Sequence, residues 1–194
     1  MKLGILGGGQ LGMMICQAAQ KIQVKTIIYS DTSDSPAINF SDSHFISKYD
    51  DFKQIDNFIS ECDYITFEFE NIPFETLKYI DKKKNVFPSP TINSIIQDRL
   101  TEKEFINSLG IDTVPFLNVS KNLALSEIEE EFFPSILKTR RMGYDGKGQS
   151  IISDKKSLLN LDQDKYILEK KIRLKQEISV ITVRYQDESL FSYL

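Results

Sequence analysis

The sequence predicts an α/β protein: a Rossmann-like first half on a parallel sheet, then an α+β second half with an antiparallel sheet. Three observations carry that expectation. The motif Gly7-Gly8-Gly9-Gln10-Leu11-Gly12 sits between a short apolar strand and an amphipathic helix. Strand and helix patterns then alternate as far as Pro90. Beyond it the alternation stops, and a second glycine-rich segment, residues 138–149, lies between the apolar pairs Ile136-Leu137 and Ile151-Ile152.

In chain order, residues 2–6 read as a strand running straight into the glycine motif. Leu11, Met14, Ile15, Ala18, Ala19 and Ile22 recur at three- and four-residue steps and predict the helix after it. Residues 24–29 form the second strand, with Asp31 at its end. Residues 31–47 read as a loop, marked by Pro36 and several Ser and Asp. A short helix over 51–60 is set by Phe52, Ile55, Phe58 and Ile59. A strand over 64–69, a helix over 74–80 and a strand at 86–87 complete the alternation. Residues 91–97 and 98–109 read as helices, the second capped by Gly110. Then come an extended piece at 113–116 and a short acidic helix at 126–133. A hairpin around 138–149, a helix at 153–161 and strands at 166–169, 177–184 and 190–194 follow. A domain boundary is expected near residue 95, giving a substrate-side domain over 1–95 and a second domain over 96–194. Within the latter, residues 120–172 form a smaller lobe.

Composition narrows the function. A chain of 194 residues can hold one or two real cores, and a net charge of -4 argues against a nucleic-acid binder. No apolar run approaches the roughly 18 residues of a membrane helix. Met1-Lys2-Leu3 opens directly into a strand, so no targeting segment is expected. Cys16 and Cys62 lack metal-ligand spacing and are expected as reduced core residues, which fits the cytoplasm. The single histidine, His44, removes any histidine-based catalytic pair and reads as a loop residue.

Three segments carry chemistry. In Lys138-Thr139-Arg140-Arg141-Met142-Gly143-Tyr144-Asp145-Gly146-Lys147-Gly148-Gln149, glycines would let backbone N–H groups approach phosphate oxygens while cations supply countercharge. The plain alternative is an exposed hairpin with solvated charges. Glu68 and Glu70 are expected on one side of a strand's carboxyl end, as a ligand site or as a solvated strand end. The first glycine motif, with Asp31 about 20 positions on, suggests a dinucleotide site. It equally suits a Rossmann-like domain holding a smaller phosphorylated ligand.

Gly-Gly-Gly-Gln-Leu-Gly at 7–12, Glu-Phe-Glu-Asn-Ile-Pro at 68–73, Gln-Asp-Arg at 97–99, the segment 138–149, Ile-Leu-Glu at 167–169 and Glu-Ile-Ser at 177–179 occur in order. Together they resemble the 5-(carboxyamino)imidazole ribonucleotide synthases, ATP-grasp enzymes of purine synthesis. The resemblance implies a pre-ATP-grasp domain followed by an incomplete ATP-grasp domain. It implies that ATP phosphorylates bicarbonate and that the amine of 5-aminoimidazole ribonucleotide takes the carboxyl group, leaving ADP and phosphate.

By position, the resemblance places Arg99 and Lys138 on ATP, with Gly143, Tyr144, Asp145, Gly146, Lys147, Gly148 and Gln149 as a loop over the phosphates. Glu169, Lys170, Lys171 and Ile172 become the adenine hinge, and Glu177 the ribose contact. Gln10, Leu11 and Glu70 would hold the ribonucleotide, reached from the loop by Tyr144, Asp145 and Lys147. Family members run on past Leu194, and their magnesium ligands lie in that further part. The resemblance therefore implies Mg2+ with no metal site in these residues, no turnover by this chain alone, and a homodimer for the complete protein. The alternatives are a formate-dependent glycinamide ribonucleotide transformylase, a dinucleotide-dependent oxidoreductase and a noncatalytic nucleotide-binding fragment.

Overall fold

The computed structural model describes residues 1–194 except Asn122, Tyr144, Asp145, Asn160, Asp162, Gln163, Gln186 and Leu194. Five parallel strands form the first sheet: β1 (Lys2–Leu6), β2 (Lys25–Ser30), β3 (Ser43–Ile46), β4 (Tyr64–Phe67) and β5 (Val86–Phe87). Their order is β3-β2-β1-β4-β5. Helices α1 (Gln10–Lys21), α2 (Phe52–Glu61) and α3 (Phe74–Asp81) cross between them.

Alternation along the strands splits the core in two. Ile5 and Ile28 pack with Cys16 and Ala37 on one face. Leu6, Ile27, Tyr29 and Ile65 pack with Ile55, Phe58, Leu77 and Ile80 on the other. Central strands buried on both sides are mainly apolar, which is why β1 and β2 read as hydrophobic segments although β2 also buries Thr26 and Ser30. Both cysteines are buried free thiols, and burial pushes Cys62 up to about 12, so it stays neutral near pH 7.

Helices α4 (Pro90–Ile96) and α5 (Arg99–Ser108) lead into the second sheet. It is antiparallel, with β6 (Phe116–Val119), β7 (Ser135–Thr139), β8 (Gln149–Ile152) and β9 (Tyr166–Lys170) in the order β6-β9-β7-β8. Val119, Ile128, Leu137, Ile152, Leu158 and Leu168 form its core. A separate antiparallel ribbon, β10 (Ile181–Arg184) and β11 (Leu190–Tyr193), follows. Among the described residues no helix is long and apolar enough to cross a membrane.

The structure corrects several expected elements. The loop at 31–47 holds a 3-10 turn, Pro36–Phe40, and the edge strand β3, so His44 lies on a strand. Strand β4 stops at Phe67, two residues early, so Glu68 and Glu70 do not share a strand face. The acidic helix at 126–133 is replaced by two 3-10 turns, Leu125–Glu127 and Glu130–Phe132. Pro134 disfavours helical backbone at Phe133, and Phe133 is extended there. The helix at 153–161 is the 3-10 turn Lys155–Leu158, capped by Asp154 and burying Leu158. Strands β6 and β10 begin at Phe116 and Ile181, where pairing with Glu169 of β9 and Tyr193 of β11 begins.

Candidate functional site

The glycine-rich segment is the turn between β7 and β8. Its ends are drawn together by the Thr139 N–H donating to the Gly148 carbonyl at 2.8 Å. Gly146 and Gly148 have φ of 78° and 70°, backbone that side chains with a Cβ rarely adopt. The Thr139 hydroxyl fills the space beside the loop's base. A Cβ at Gly143 or Gly148 would stand 2.7 or 2.5 Å from its Oγ1, whereas one at Gly146 meets only Gln149 Nε2 at 3.4 Å. Two substitutions are therefore expected to separate. Gly148→Val should destabilise the fold by about 2–3 kcal/mol through clash plus strain. Gly146→Val should cost only the backbone strain, about 1–2 kcal/mol, and leave the chain folded while weakening nucleotide affinity. Thermal melts and titrations of both variants check this, and a Gly146→Val chain that unfolds would make that glycine structural.

Asp98 anchors the loop's first residues. It caps α5 by accepting from the Leu100 N–H at 3.0 Å. It also takes both arms of Arg140, at 3.0 and 2.8 Å, and Arg141 Nε at 3.3 Å. Asp98 is 4% exposed. Burial opposes its ionisation, but the Arg140 guanidinium, the Leu100 N–H and Arg141 outweigh it and hold the carboxyl below the ordinary range. The loop's two arginines thus share Asp98 and tie the hairpin to the start of α5, a structural contact beside their expected role as countercharge for an anion.

Arg99 extends the same anchor. Its N–H donates to the Arg140 carbonyl, and its guanidinium to the Thr139 and Gly143 carbonyls at 3.2 and 2.6 Å. Beside it, Glu70, Ile96, Gln97, Glu102, Arg140, Met142 and Gly143 complete a cleft of ≈ 370 Å³. Gln97 Nε2 donates to the Glu70 and Ile72 carbonyls at 2.6 and 2.7 Å, tying this cleft to the first sheet's carboxyl edge. Burial pushes the Glu102 carboxyl above its ordinary range. Arg99 and Lys103 pull it back only in part, and Glu70 adds to the rise.

Lys138, one residue before Thr139, reaches the expected hinge. Its Nζ lies 2.6 Å from Glu169 Oε2, and Lys103 Nζ lies 3.0 Å from Glu169 Oε1. Glu169 is 5% exposed. Burial would raise its carboxyl, but the two ammonium groups more than offset this and keep the side chain ionised. Beyond Glu169, the Lys170 and Lys171 N–H groups donate to the Pro115 and Pro134 carbonyls at 2.9 and 3.1 Å.

The first glycine motif sits at the N-terminus of α1, facing Glu68. The Gly9 N–H donates to Glu68 Oε1 at 2.7 Å, and a Cβ on Gly9 would stand 3.1 Å from that oxygen. The N–H a dinucleotide pyrophosphate would need is thus engaged by a carboxylate, in a cleft also lined by Asp31 and Asp34. This geometry counts against the dinucleotide reading. Gln10 and Leu11 are exposed beside it.

The structure therefore gathers Arg99, Lys138, Glu169 and the glycine loop around the start of α5, with Glu70 across the adjoining cleft. Gly146, Lys147, Gly148 and Gln149 are exposed at the loop's second half. Lys171, Ile172 and Glu177 are exposed beyond β9, and Lys170 is half-buried. Tyr144 and Asp145 lie outside the described residues. Asp98, Glu102 and Lys103 are site residues the sequence reading missed. Only the helix-capping position of Asp98 gave a local signal.

A ribonucleotide synthetase preATP-grasp domain model matches residues 1–97, and an ATP-grasp domain model matches residues 104–194. The chain belongs to the ribonucleotide synthetase preATP-grasp family, here joined to an ATP-grasp domain. Its relatives include N5-carboxyaminoimidazole ribonucleotide synthase of Staphylococcus aureus, 38% identical over 187 residues that cover 94% of this chain and 50% of the relative. Phosphoribosylaminoimidazole carboxylase of Ogataea methanolica is 35% identical, covering 98% of this chain and 37% of the relative. The crystal structure of N5-carboxyaminoimidazole synthetase from Staphylococcus aureus complexed with ADP superposes with a TM-score of 0.90 at 36% identity. It is matched over 99% of this chain and 53% of its own. That of the Aspergillus clavatus synthase complexed with ATP gives 0.86 at 27% identity, over 99% of this chain and 52% of its own. The chain thus spans about half the length of the Staphylococcus relatives it matches.

Proposed function

We propose that this chain supplies the nucleotide- and ribonucleotide-binding part of an ATP-dependent carbon–nitrogen ligase. The complete enzyme would carboxylate 5-aminoimidazole ribonucleotide with bicarbonate, giving the N5-carboxyamino ribonucleotide, ADP and phosphate. One observation carries the reading most directly. The glycine loop hangs from Arg99 at the α5 start that lines the Glu70 cleft, and Lys138 is joined to the same helix through Glu169 and Lys103, so a phosphate donor and a ribonucleotide would meet there. The ADP and ATP complexes of the Staphylococcus and Aspergillus enzymes support the nucleotide half.

On this reading Lys138 and the glycine loop of 143–149 hold the phosphates, including Tyr144 and Asp145. The hinge of 169–172 receives the adenine. Since Lys170 and Lys171 donate to prolines, we place the base-edge contact at Ile172. Glu177 accepts from the ribose hydroxyls, and Arg99 sets the loop's position. Gln10, Leu11 and Glu70 hold the ribonucleotide, with Lys147 reaching over it from the loop. The bicarbonate donor, a homodimeric complete enzyme and a cytoplasmic setting are further parts of the proposal, carried by the resemblance.

Magnesium would shield the phosphates during transfer. Among the described residues no group of three or more His, Cys, Asp and Glu could hold it, so these residues do not fit a metal site. The expected behaviour of the 194-residue chain is binding without turnover. Isothermal titration should show ADP binding in preference to NADH, and incubation with ATP, bicarbonate and the ribonucleotide should yield no carboxylated product. Tight NADH binding with none of ADP would overturn the nucleotide assignment, and coupled ADP release would overturn the expected inactivity.

A further inference from the structure

Arg99 and Lys103 stand four residues apart on α5 and so share a helix face. Arg99 serves the loop's base, while Lys103 turns to Glu169 on β9. Lys103 is only 15% exposed, with its ammonium 5.6 Å from the centre of the Phe116 ring, and Phe116 is paired with Glu169 across β6 and β9. Its place is therefore fixed from two sides. The resulting trio, Lys103–Glu169–Lys138, holds two cations on one buried carboxylate and carries a net charge of about +1 at neutral pH.

That surplus matters because Lys138 alone with Glu169 would be a neutral pair. A lysine ammonium closed onto a carboxylate attracts phosphate weakly, since the two fields largely cancel beyond a few ångströms. With Lys103 occupying Oε1, the carboxylate's charge is divided, and the field at Lys138 remains positive. We propose that Lys103 is a positioning residue for the nucleotide: by sharing Glu169 it keeps Lys138 electrostatically available to an incoming phosphate. This inference rests on the nucleotide-binding reading above and adds a residue to it.

The rival is a purely structural one, in which Lys103 merely latches α5 to β9. Fluorescence titration of the 194-residue chain with a fluorescent ADP analogue, beside melting curves, separates the two. Lys103→Gln keeps a hydrogen-bond donor near Glu169 without the charge, and should weaken binding roughly tenfold. Lys103→Arg, which retains the charge, should bind close to wild type. Adding Glu169→Gln to Lys103→Gln should recover affinity, because Lys138 is then no longer neutralised. A latch gives no such recovery.

Wild-type affinity in Lys103→Gln would overturn the inference while leaving nucleotide binding intact. So would a double variant as weak as Lys103→Gln, or an arginine variant as weak as the glutamine one. Failure of the wild-type chain to bind the analogue would remove the nucleotide reading itself and this inference with it.

Discussion

Asp98→Ala is expected to cost about 3 kcal/mol of folding stability, the low end of what breaking a buried ion pair costs. The change removes the capping acceptor of α5, leaves Arg140 without its two-armed partner and strips Arg141 of its contact. The low end applies because Arg140 and Arg141 are 23% and 59% exposed, and water can take up part of their charge. Urea unfolding at neutral pH gives the number directly. A loss under 1 kcal/mol would show that the junction of α5 with the β7–β8 hairpin is held mainly by the Arg99 contacts.

The same residue sets an acid dependence. Its folded carboxyl titrates below the ordinary aspartate value of 3.8. The stability it contributes is therefore complete above about 3.8 and drains as pH falls through the lower folded value. The wild-type stability curve should fall more steeply than that of Asp98→Ala across this range, and the two should converge at its acid end. Parallel curves would mean that the folded carboxyl is not depressed.

Lys138→Ala should weaken ADP binding by about 1.5–3 kcal/mol, roughly tenfold to more than a hundredfold. The fold should survive, because Glu169 retains Lys103 at 3.0 Å and is not left as a buried unpaired charge. Titration calorimetry beside a thermal melt reads both halves of this expectation. Unchanged ADP affinity in a folded variant would remove Lys138 from the site.

The reach of the sequence reading follows from how far apart the partners lie. Alternating strands and helices to Pro90 showed the parallel sheet, because strands buried on both faces are mainly apolar. The four polar-flanked residues of β3 gave no such pattern. Its strand character comes from pairing with β2, in which Ile28 stands opposite His44. The glycine hairpin was legible because its turn chemistry is local. Asp98 and Arg140 are 42 positions apart, and Lys103 and Glu169 meet only after α5 packs beside β9. For the same reason, the sequence could present the loop's arginines as countercharge for an anion but not show that they share Asp98. Glu68 and Glu70, read as twins, diverge because β4 ends at Phe67, sending one to the Gly9 N–H and the other into the cleft.

Hydrogen exchange of the 194-residue chain, with and without saturating ADP, bears most directly on which glycine loop takes the nucleotide. Slowed exchange confined to the 138–149 hairpin and the 169–172 segment, with residues 7–12 unchanged, is the predicted result. Protection at residues 7–12 with the hairpin unaffected would contradict it.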